Sequence, residues 1–364
     1  MSYSHHEPQE RAPLSNCHGY LRTHSLLRIT SVCPIGGQTL HRLIQVLIAK
    51  SQHMGRVRHA VAGSPIVHSL SPVLTALVHA HLSRQDGVEL PGLKGVVVIP
   101  TEGVENALAW GYAGGLPSPP DWEYVGSPLG KFRANALLER AVAASCAEHS
   151  EADPRLPNAP LITGKLNNQI LGDEEVWLSL TSPLKHQLST AAVKYIDNAM
   201  DIRSVNTLRW DGITWWAGST DGAGMCMVAE AFGKRSGGVM GIIGGGGTAR
   251  SVAAAWTKSG GKITQIGGKR ELDEDGPWNL VKSKADFIVN FDEDGGDLSV
   301  RYEKMDGDFE SRVEYLSANA DGRWLLCAQH LHSWATLWAP QYSEKLPSLS
   351  LIMTRLIAAE VHLG

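Results

Sequence analysis

A glycine-rich turn separates two segments of different pattern. The apolar run Val239–Ile243 ends at Gly244–Gly247, and the helix-forming run Ser251–Lys258 follows shortly after. Glycine lets a backbone turn tightly and approach a pyrophosphate, and a helix that begins there directs N–H groups and its positive dipole end at the phosphates. The turn matches the G-x-G-x-x-G/A dinucleotide fingerprint. We predict cofactor contacts at Gly244, Gly246, Gly247, Thr248 and Ala249.

A second polar segment, Gly63–Pro72, lies between a predicted strand end and a predicted helix start. Loops at such positions often carry ligand-binding groups. Ser71 has two interpretations, as the cap of a helix that begins at Pro72 or as a binding residue. Ser69 has no such structural role, so we predict that it contacts a ligand.

Two charged residues stand in unusual local contexts. Lys185 comes just after Pro183, where we predict that a helix begins at Leu184. A cation near the positive end of a helix is disfavoured, which indicates a role in proton transfer; a solvated surface lysine is the alternative. Asp221 follows Ser219-Thr220 among glycines, and it either closes an Asx turn or pairs with Lys185 beside a bound carbonyl.

The elements that must position these residues follow an α/β pattern from Arg58 onward. An Asp211-Gly212 pair between two β-prone runs predicts a hairpin, and His149–Pro160, with three prolines, predicts an exposed insertion. A βαβ unit spans 239–266. The other predicted strands and helices are Ala60–Ala62, Pro72–Leu82, Lys94–Ile99, Asn135–Ala147, Val176–Leu180, Asp286–Asn290 and the apolar tail Arg323–Leu337.

Composition narrows the class of protein. The 364 residues are 43% hydrophobic and 19% charged, which is typical of a globular chain of one large or two ordinary domains. The net charge of -4 argues against nucleic-acid binding. The five cysteines are widely spaced and the histidines lack metal-ligand spacing, so we predict reduced thiols, a cytoplasmic location and no metal. No apolar run is long enough to span a bilayer.

The first 58 residues differ from the rest, because they are rich in Ser, His and Pro and lack the pattern of a signal peptide. We predict that residues 1–58 form a disordered leader or an upstream translation artefact, with Met54 as a plausible start. Mass spectrometry of the natural N-terminus tests this prediction.

Taken in order, the polar segments resemble those of the shikimate dehydrogenase family. Each motif is unspecific alone, and the common order of five or six motifs, over roughly residues 59–340, carries the resemblance. Gly63–Pro72 is similar to G-x-P-x-x-H-S-x-S-P, Ser179–Lys185 to N-V-T-x-P-x-K, Val205–Leu208 to V-N-T-L, Ser219–Gly222 to N-T-D-G, Gly244–Arg250 to G-A-G-G-A-x-R, and Asp321–Gln329 to D-G-x-x-M-L-x-x-Q.

The resemblance implies a two-domain α/β fold with an N-terminal substrate-binding domain and a Rossmann-like NADP-binding domain. We expect the substrate domain at 59–230, completed by 323–364 with a returning C-terminal helix, and the cofactor domain at 231–322. The implied activity is NADPH-dependent reduction of 3-dehydroshikimate to shikimate, in chorismate and aromatic amino acid biosynthesis, by a monomer or homodimer. Lys185 and Asp221 would be catalytic. The implied substrate ligands are Ser69, Ser71, Thr181, Asn206 and Gln329.

Cofactor choice is predicted from the segment after the second strand of the βαβ unit. NAD enzymes usually place an acid there, whereas this chain has Gly267-Gly268-Lys269-Arg270. Lys269 and Arg270 are two cations available for a 2′-phosphate, which favours NADP, although exposed surface charges are the alternative. Two other functions stay open. One is an NAD-dependent quinate/shikimate dehydrogenase. The other is a ligand-binding homologue without catalysis, which is motivated by the segment Asn290–Gly296, where this chain departs from the family's motif.

Overall fold

The computed structural model describes residues 56–66, 68–112, 130–161, 171–172, 174–188, 193–293 and 295–364. They belong to one compact unit, His53–Gly364. The first strand begins at Arg56, so residues 56–58 are not part of a leader. The rest of the predicted leader, with Met54, lies outside the described residues, and the division into domains stays a prediction.

The described residues form two sheets. The larger sheet has the strand order β2-β1-β3-β5-β6-β4, and the smaller has the order β10-β9-β7-β8. The strands are β1 (Arg56–Gly63), β2 (Gly92–Pro100), β3 (Glu174–Leu180), β4 (Val193–Tyr195), β5 (Thr207–Trp210), β6 (Trp215–Gly218), β7 (Val239–Ile243), β8 (Lys262–Gly267), β9 (Phe287–Asn290) and β10 (Leu298–Ser299).

Helices cover these sheets, and the last one returns to the beginning of the chain. They are α1 (Ser71–Leu82), α2 (Val104–Tyr112), α3 (Gly130–Glu148), α4 (Asp221–Ala231), α5 (Gly247–Lys258), α6 (Phe309–Ala318), α7 (Gly322–Ser333) and α8 (Leu349–Leu363). The C-terminal helix α8 packs against α1, α3 and α7. The predicted α/β class and the returning C-terminal helix are therefore confirmed.

The smaller sheet is built around the predicted βαβ unit. β7 pairs in parallel with both β8 and β9, and β9 pairs in parallel with β10. The carboxyl ends of parallel strands meet at one edge of a sheet, where ligands of such folds bind. No helix separates β8 from β9 in the fully described stretch 268–286, so this sheet has fewer covering helices than a full doubly wound fold.

The predicted hairpin is confirmed and shows how a local signal sets strand register. Gly212 has φ +91°, a conformation that favours glycine. The Asp211 carboxylate accepts hydrogen bonds from the N–H groups of Ile213 and Thr214 at 2.9 and 2.8 Å. β5 and β6 consequently pair antiparallel, with Thr207 opposite Gly218.

Two predictions about local structure are wrong. The chain from Leu184 forms only one turn of 3₁₀-helix, Leu184–His186, because the Lys185 carbonyl accepts a hydrogen bond from the N–H of Val205 at 2.8 Å instead of continuing a helix. The segment 149–160 is not wholly exposed, since Leu156 and Ala159 are buried in the core. Lys185 therefore does not stand at the start of an α-helix.

A tryptophan cluster joins the C-terminal region to the larger sheet. Trp177 on β3 stacks on Trp338 with a centroid distance of 5.8 Å, and Trp334 contacts both rings edge-on. The indole N–H of Trp338 donates to the Leu208 carbonyl at 3.1 Å. The Trp-rich tail is thus core structure that fixes α7 against the strands. Within the described residues, no helix combines the length and apolar character needed to cross a bilayer.

Buried histidines next to this cluster predict loss of stability in acid. Burial lowers the pKa of His330 to about 3 and that of His332 to about 4. In the unfolded chain both histidines have a pKa of about 6.5. As the pH falls below that value, the unfolded state therefore binds more protons than the folded state. We expect the free energy of unfolding to fall between pH 6.5 and 4, by at least about 1 kcal/mol per histidine. Urea unfolding at a series of pH values measures this, and His332→Gln should flatten the dependence.

Candidate active site

The two charged residues predicted as catalytic are in contact. The Lys185 ammonium donates to Asp221 Oδ2, and it also donates to Thr248 Oγ1 at 2.9 Å. The Asp221 side chain is fully buried, and that of Lys185 is 14% exposed. The geometric prediction of a Lys185–Asp221 pair is thus met, although the local helix predicted around Lys185 is absent.

Close packing of two helices places this pair beside the glycine-rich turn. Asp221 is the first residue of α4. A Cβ at Gly222 would come within 2.2 Å of the Ser251 carbonyl, and the Gly222 N–H donates to Ser251 Oγ at 2.9 Å. Only glycine allows α4 to approach α5 so closely. Because Thr248 lies in the first turn of α5, the same packing brings it to the Lys185 ammonium.

Asn206 holds the Asp221 carboxylate in place. Its amide nitrogen lies 2.9 Å from Asp221 Oδ1 and 2.9 Å from Thr220 Oγ1, and its amide oxygen accepts from the Thr220 N–H at 2.7 Å. The same amide nitrogen lies 3.3 Å from Gln329 Oε1. These contacts assign Asn206 to positioning Asp221 as well as to lining the site.

The pair opens into a cavity of about 540 Å³. The lining carries several neutral hydrogen-bonding side chains, including all five predicted substrate ligands: Ser69, Ser71, Thr181, Asn206 and Gln329. Ser71 is the first residue of α1, whose N-cap position is Leu70 without a side-chain cap. The interpretation of Ser71 as the helix cap is therefore wrong. Ser69 Oγ instead accepts a hydrogen bond from the Ser71 N–H at 3.2 Å, so Ser69 has a local structural role that the sequence did not indicate.

Sequence reasoning missed one segment that lines the cavity. Val300–Glu303 lines the cavity, and Tyr302 Oη accepts a hydrogen bond from the Leu70 N–H at 3.2 Å. Burial raises the pKa of the Tyr302 phenol. Arg301 lines the cavity as an exposed cation. No periodicity or turn signal marks these residues, because their place depends on how the chain crosses from β10 to α6.

The glycine-rich turn has the geometry expected of an anion site. Gly246 precedes α5, so the N–H groups of the first helical turn have no acceptor within the helix. A Cβ at Gly246 would meet no atom within 4 Å, whereas one at Gly245 would come within 2.2 Å of the Glu271 carbonyl. Open space therefore lies beside Gly246, and the turn fits a phosphate group there.

The predicted cofactor residues do not all face the same space. Thr248 lines the cavity, while Ala249 is buried inside α5. Lys269 and Arg270 are exposed beyond β8, and the Lys269 ammonium lies 3.6 Å from the Glu293 carboxylate. Among the described residues, no three His, Cys, Asp or Glu side chains gather as a metal site.

Comparisons with known proteins find similarity only at the level of structure, since neither a family model nor a curated protein matches the chain. Shikimate dehydrogenase from Mycobacterium tuberculosis is 19% identical with a TM-score of 0.49, covering 83% of this chain and 98% of that one. Shikimate 5-dehydrogenase from Thermus thermophilus, in complex with NADP(H) and shikimate, is 18% identical with a TM-score of 0.48, covering 83% and 99%.

The Ael1 enzyme from Pseudomonas putida is also similar, at 18% identity, a TM-score of 0.41 and coverage of 78% and 93%. The described residues define an α/β protein with a polar cavity beside a glycine-rich turn. In structure the chain is similar to shikimate dehydrogenases.

Proposed function

We propose that this protein is a nicotinamide-dependent oxidoreductase that interconverts 3-dehydroshikimate and shikimate, a step of chorismate biosynthesis. The observation that carries the proposal is the Lys185–Asp221 pair at a cavity with several neutral polar side chains. The Lys185 ammonium also donates to Thr248 in the first turn of α5. A proton-transfer group and an anion-binding turn thus border one space. The predicted cytoplasmic location and the monomeric or dimeric state stay predictions.

The residues divide the chemistry between them. In the direction of reduction, Lys185 Nζ donates a proton to the substrate carbonyl oxygen, and in oxidation it takes the hydroxyl proton back. Asp221, held by Asn206, orients the ammonium throughout. A bound nicotinamide supplies or accepts the hydride. Gly246, Gly247 and Thr248 would hold the cofactor phosphates at the helix start.

The neutral polar part of the lining suits a small acid that carries several hydroxyl groups. Ser69, Ser71, Thr181 and Gln329 offer donors and acceptors without adding charge. Each buried donor or acceptor left without a partner costs about 1–3 kcal/mol. Such a lining therefore discriminates strongly between ligands that differ in the pattern of their hydroxyl groups. Quinate differs from shikimate in this pattern, which makes it the informative competing substrate.

The form of the cofactor has two candidates. Lys269 and Arg270, both exposed after β8, support NADP(H), as the sequence predicts. NAD(H) is supported by a contact that the sequence did not indicate. The Asp292 carboxylate accepts a hydrogen bond from the backbone N–H of Lys269, which brings an acid to the end of β8. A protein that binds the ligand without catalysis is the remaining alternative, and it gives no reason for the Lys185–Asp221 pair.

An absorbance assay tests the proposal. We expect purified protein to reduce NADP⁺ or NAD⁺ in the presence of shikimate, to do so more slowly with quinate, and not to do so without substrate. The control is Asp221→Asn, which keeps the shape of the side chain and removes the charge that orients Lys185. Binding of shikimate without reduction of either cofactor would contradict the proposal and leave the ligand-binding alternative.

A further inference from the structure

One carboxylate lies where the strands of the smaller sheet end. Asp292 follows β9, and its Oδ2 accepts a hydrogen bond from the backbone N–H of Lys269, which follows β8. A Cβ at Gly244 would come within 2.8 Å of Asp292 Oδ1, and one at Gly268 within 2.7 Å of Oδ2. The carboxylate therefore sits against the glycine-rich turn, between the ends of β7 and β8.

The backbone is shaped to admit this side chain. Gly244 has φ +104° and Gly268 has φ +135°, conformations that residues with a Cβ rarely adopt. Asp292 is only partly buried, and within the described residues Oδ1 has no hydrogen-bond donor. An ionised carboxylate accepts several hydrogen bonds, so Oδ1 remains able to accept one from a ligand hydroxyl.

The position matters because of what dinucleotide sites place there. After the second strand of a βαβ unit, an acid accepts the ribose hydroxyls of NAD(H) and disfavours the 2′-phosphate of NADP(H). The local sequence here, Gly267–Arg270, contains no acid. We infer that Asp292, reaching across from β9, takes this role and makes the protein prefer NAD(H). This inference rests on the proposed function, because it assumes that a nicotinamide dinucleotide binds at the glycine-rich turn.

The acidic side chains near the end of β8 also favour NAD(H) over NADP(H). The Lys269 ammonium, on which the NADP(H) prediction partly depends, is paired with Glu293 at 3.6 Å. A 2′-phosphate near the end of β8 would meet the carboxylates of Asp292 and Glu293. The cations nearby are Arg270, which is exposed, and Arg301, whose guanidinium donates to the Asp292 carbonyl. Repulsion between like charges lowers affinity for the phosphorylated form more than for NAD(H).

Nucleotide binding without substrate tests the inference independently of turnover. We would titrate the full-length protein with NADH and with NADPH, following nucleotide fluorescence, for wild type, Asp292→Asn and Glu293→Gln. Asparagine can still accept from the Lys269 N–H, so Asp292→Asn keeps the local fold, which the urea midpoint checks. Glu293→Gln is the matched control, because it removes one negative charge from the neighbouring residue and leaves the carboxylate at the glycines intact.

We expect wild type to bind NADH at least about tenfold more tightly than NADPH, and Asp292→Asn to reduce that ratio by about tenfold or more. Glu293→Gln should change the ratio by less than about threefold, since the pair it removes is exposed. Tighter binding of NADPH by wild type, or an unchanged ratio in Asp292→Asn, would overturn this inference alone. If neither nucleotide binds, the proposed function fails and the inference with it.

Discussion

Replacing Lys185 by alanine is expected to lower the turnover of shikimate oxidation by about 10²–10⁴-fold, the usual contribution of a positioned proton-transfer group. The ammonium lines the cavity and is held there by Asp221 and Thr248. The neutral side chains that line the cavity are untouched, so shikimate affinity should change by less than about tenfold. Steady-state rates and calorimetric titration with shikimate measure the two quantities separately.

Two further variants separate catalysis from charge and folding. Lys262→Ala removes an exposed lysine at the start of β8 and should leave turnover unchanged. Lys185→Ala leaves the buried Asp221 carboxylate without its cation, so the double variant with Asp221→Asn should regain stability without regaining activity. Turnover of Lys185→Ala within about threefold of wild type would mean that the pair is structural and not part of the chemistry.

Local sequence signals correctly predicted the elements that depend on short-range pattern alone. The hairpin at Asp211-Gly212 and the βαβ unit at 239–266 both depend on short-range pattern, and both form as expected. The pairing of Lys185 with Asp221 was one of two interpretations of Asp221, since nothing local requires residues so far apart to meet. Family resemblance then selected the pair and gave it the catalytic role.

Other features of the site depend on tertiary contacts that leave no local trace. A helix was expected at Leu184, but the Lys185 carbonyl bonds to Val205 in another strand-connecting segment. Asp292 reaches Lys269 only because β9 and β8 flank β7. Tyr302 meets Leu70 across more than half of the chain. Neither periodicity nor turn chemistry encodes such neighbours, so these residues could be identified only in the structure.

The largest effect on stability is expected from breaking the buried ion pair that contacts the tryptophan cluster. Arg209 and Glu175 are both fully buried, with Arg209 Nη2 and Nε at 2.7 and 2.9 Å from the two carboxylate oxygens of Glu175. The guanidinium also donates to the Leu337 carbonyl at 3.1 Å, and the Trp177 indole donates to Glu175 at 2.6 Å. This network ties β3 and β5 to the C-terminal segment.

Arg209→Met should lower the free energy of unfolding by about 3–5 kcal/mol, because it leaves the Glu175 carboxylate buried without a cation. Urea unfolding followed by tryptophan fluorescence measures the loss, since Trp177 contacts the pair directly. The double variant with Glu175→Gln should be less destabilised than Arg209→Met alone, because no buried charge remains. Arg155→Met, which removes ion pairs of an exposed arginine with Asp153 and Glu310, is the control and should shift the unfolding midpoint far less than Arg209→Met. A double variant no more stable than the single one would show that the hydrogen bonds of Arg209, and not the uncompensated charge of Glu175, determine the loss.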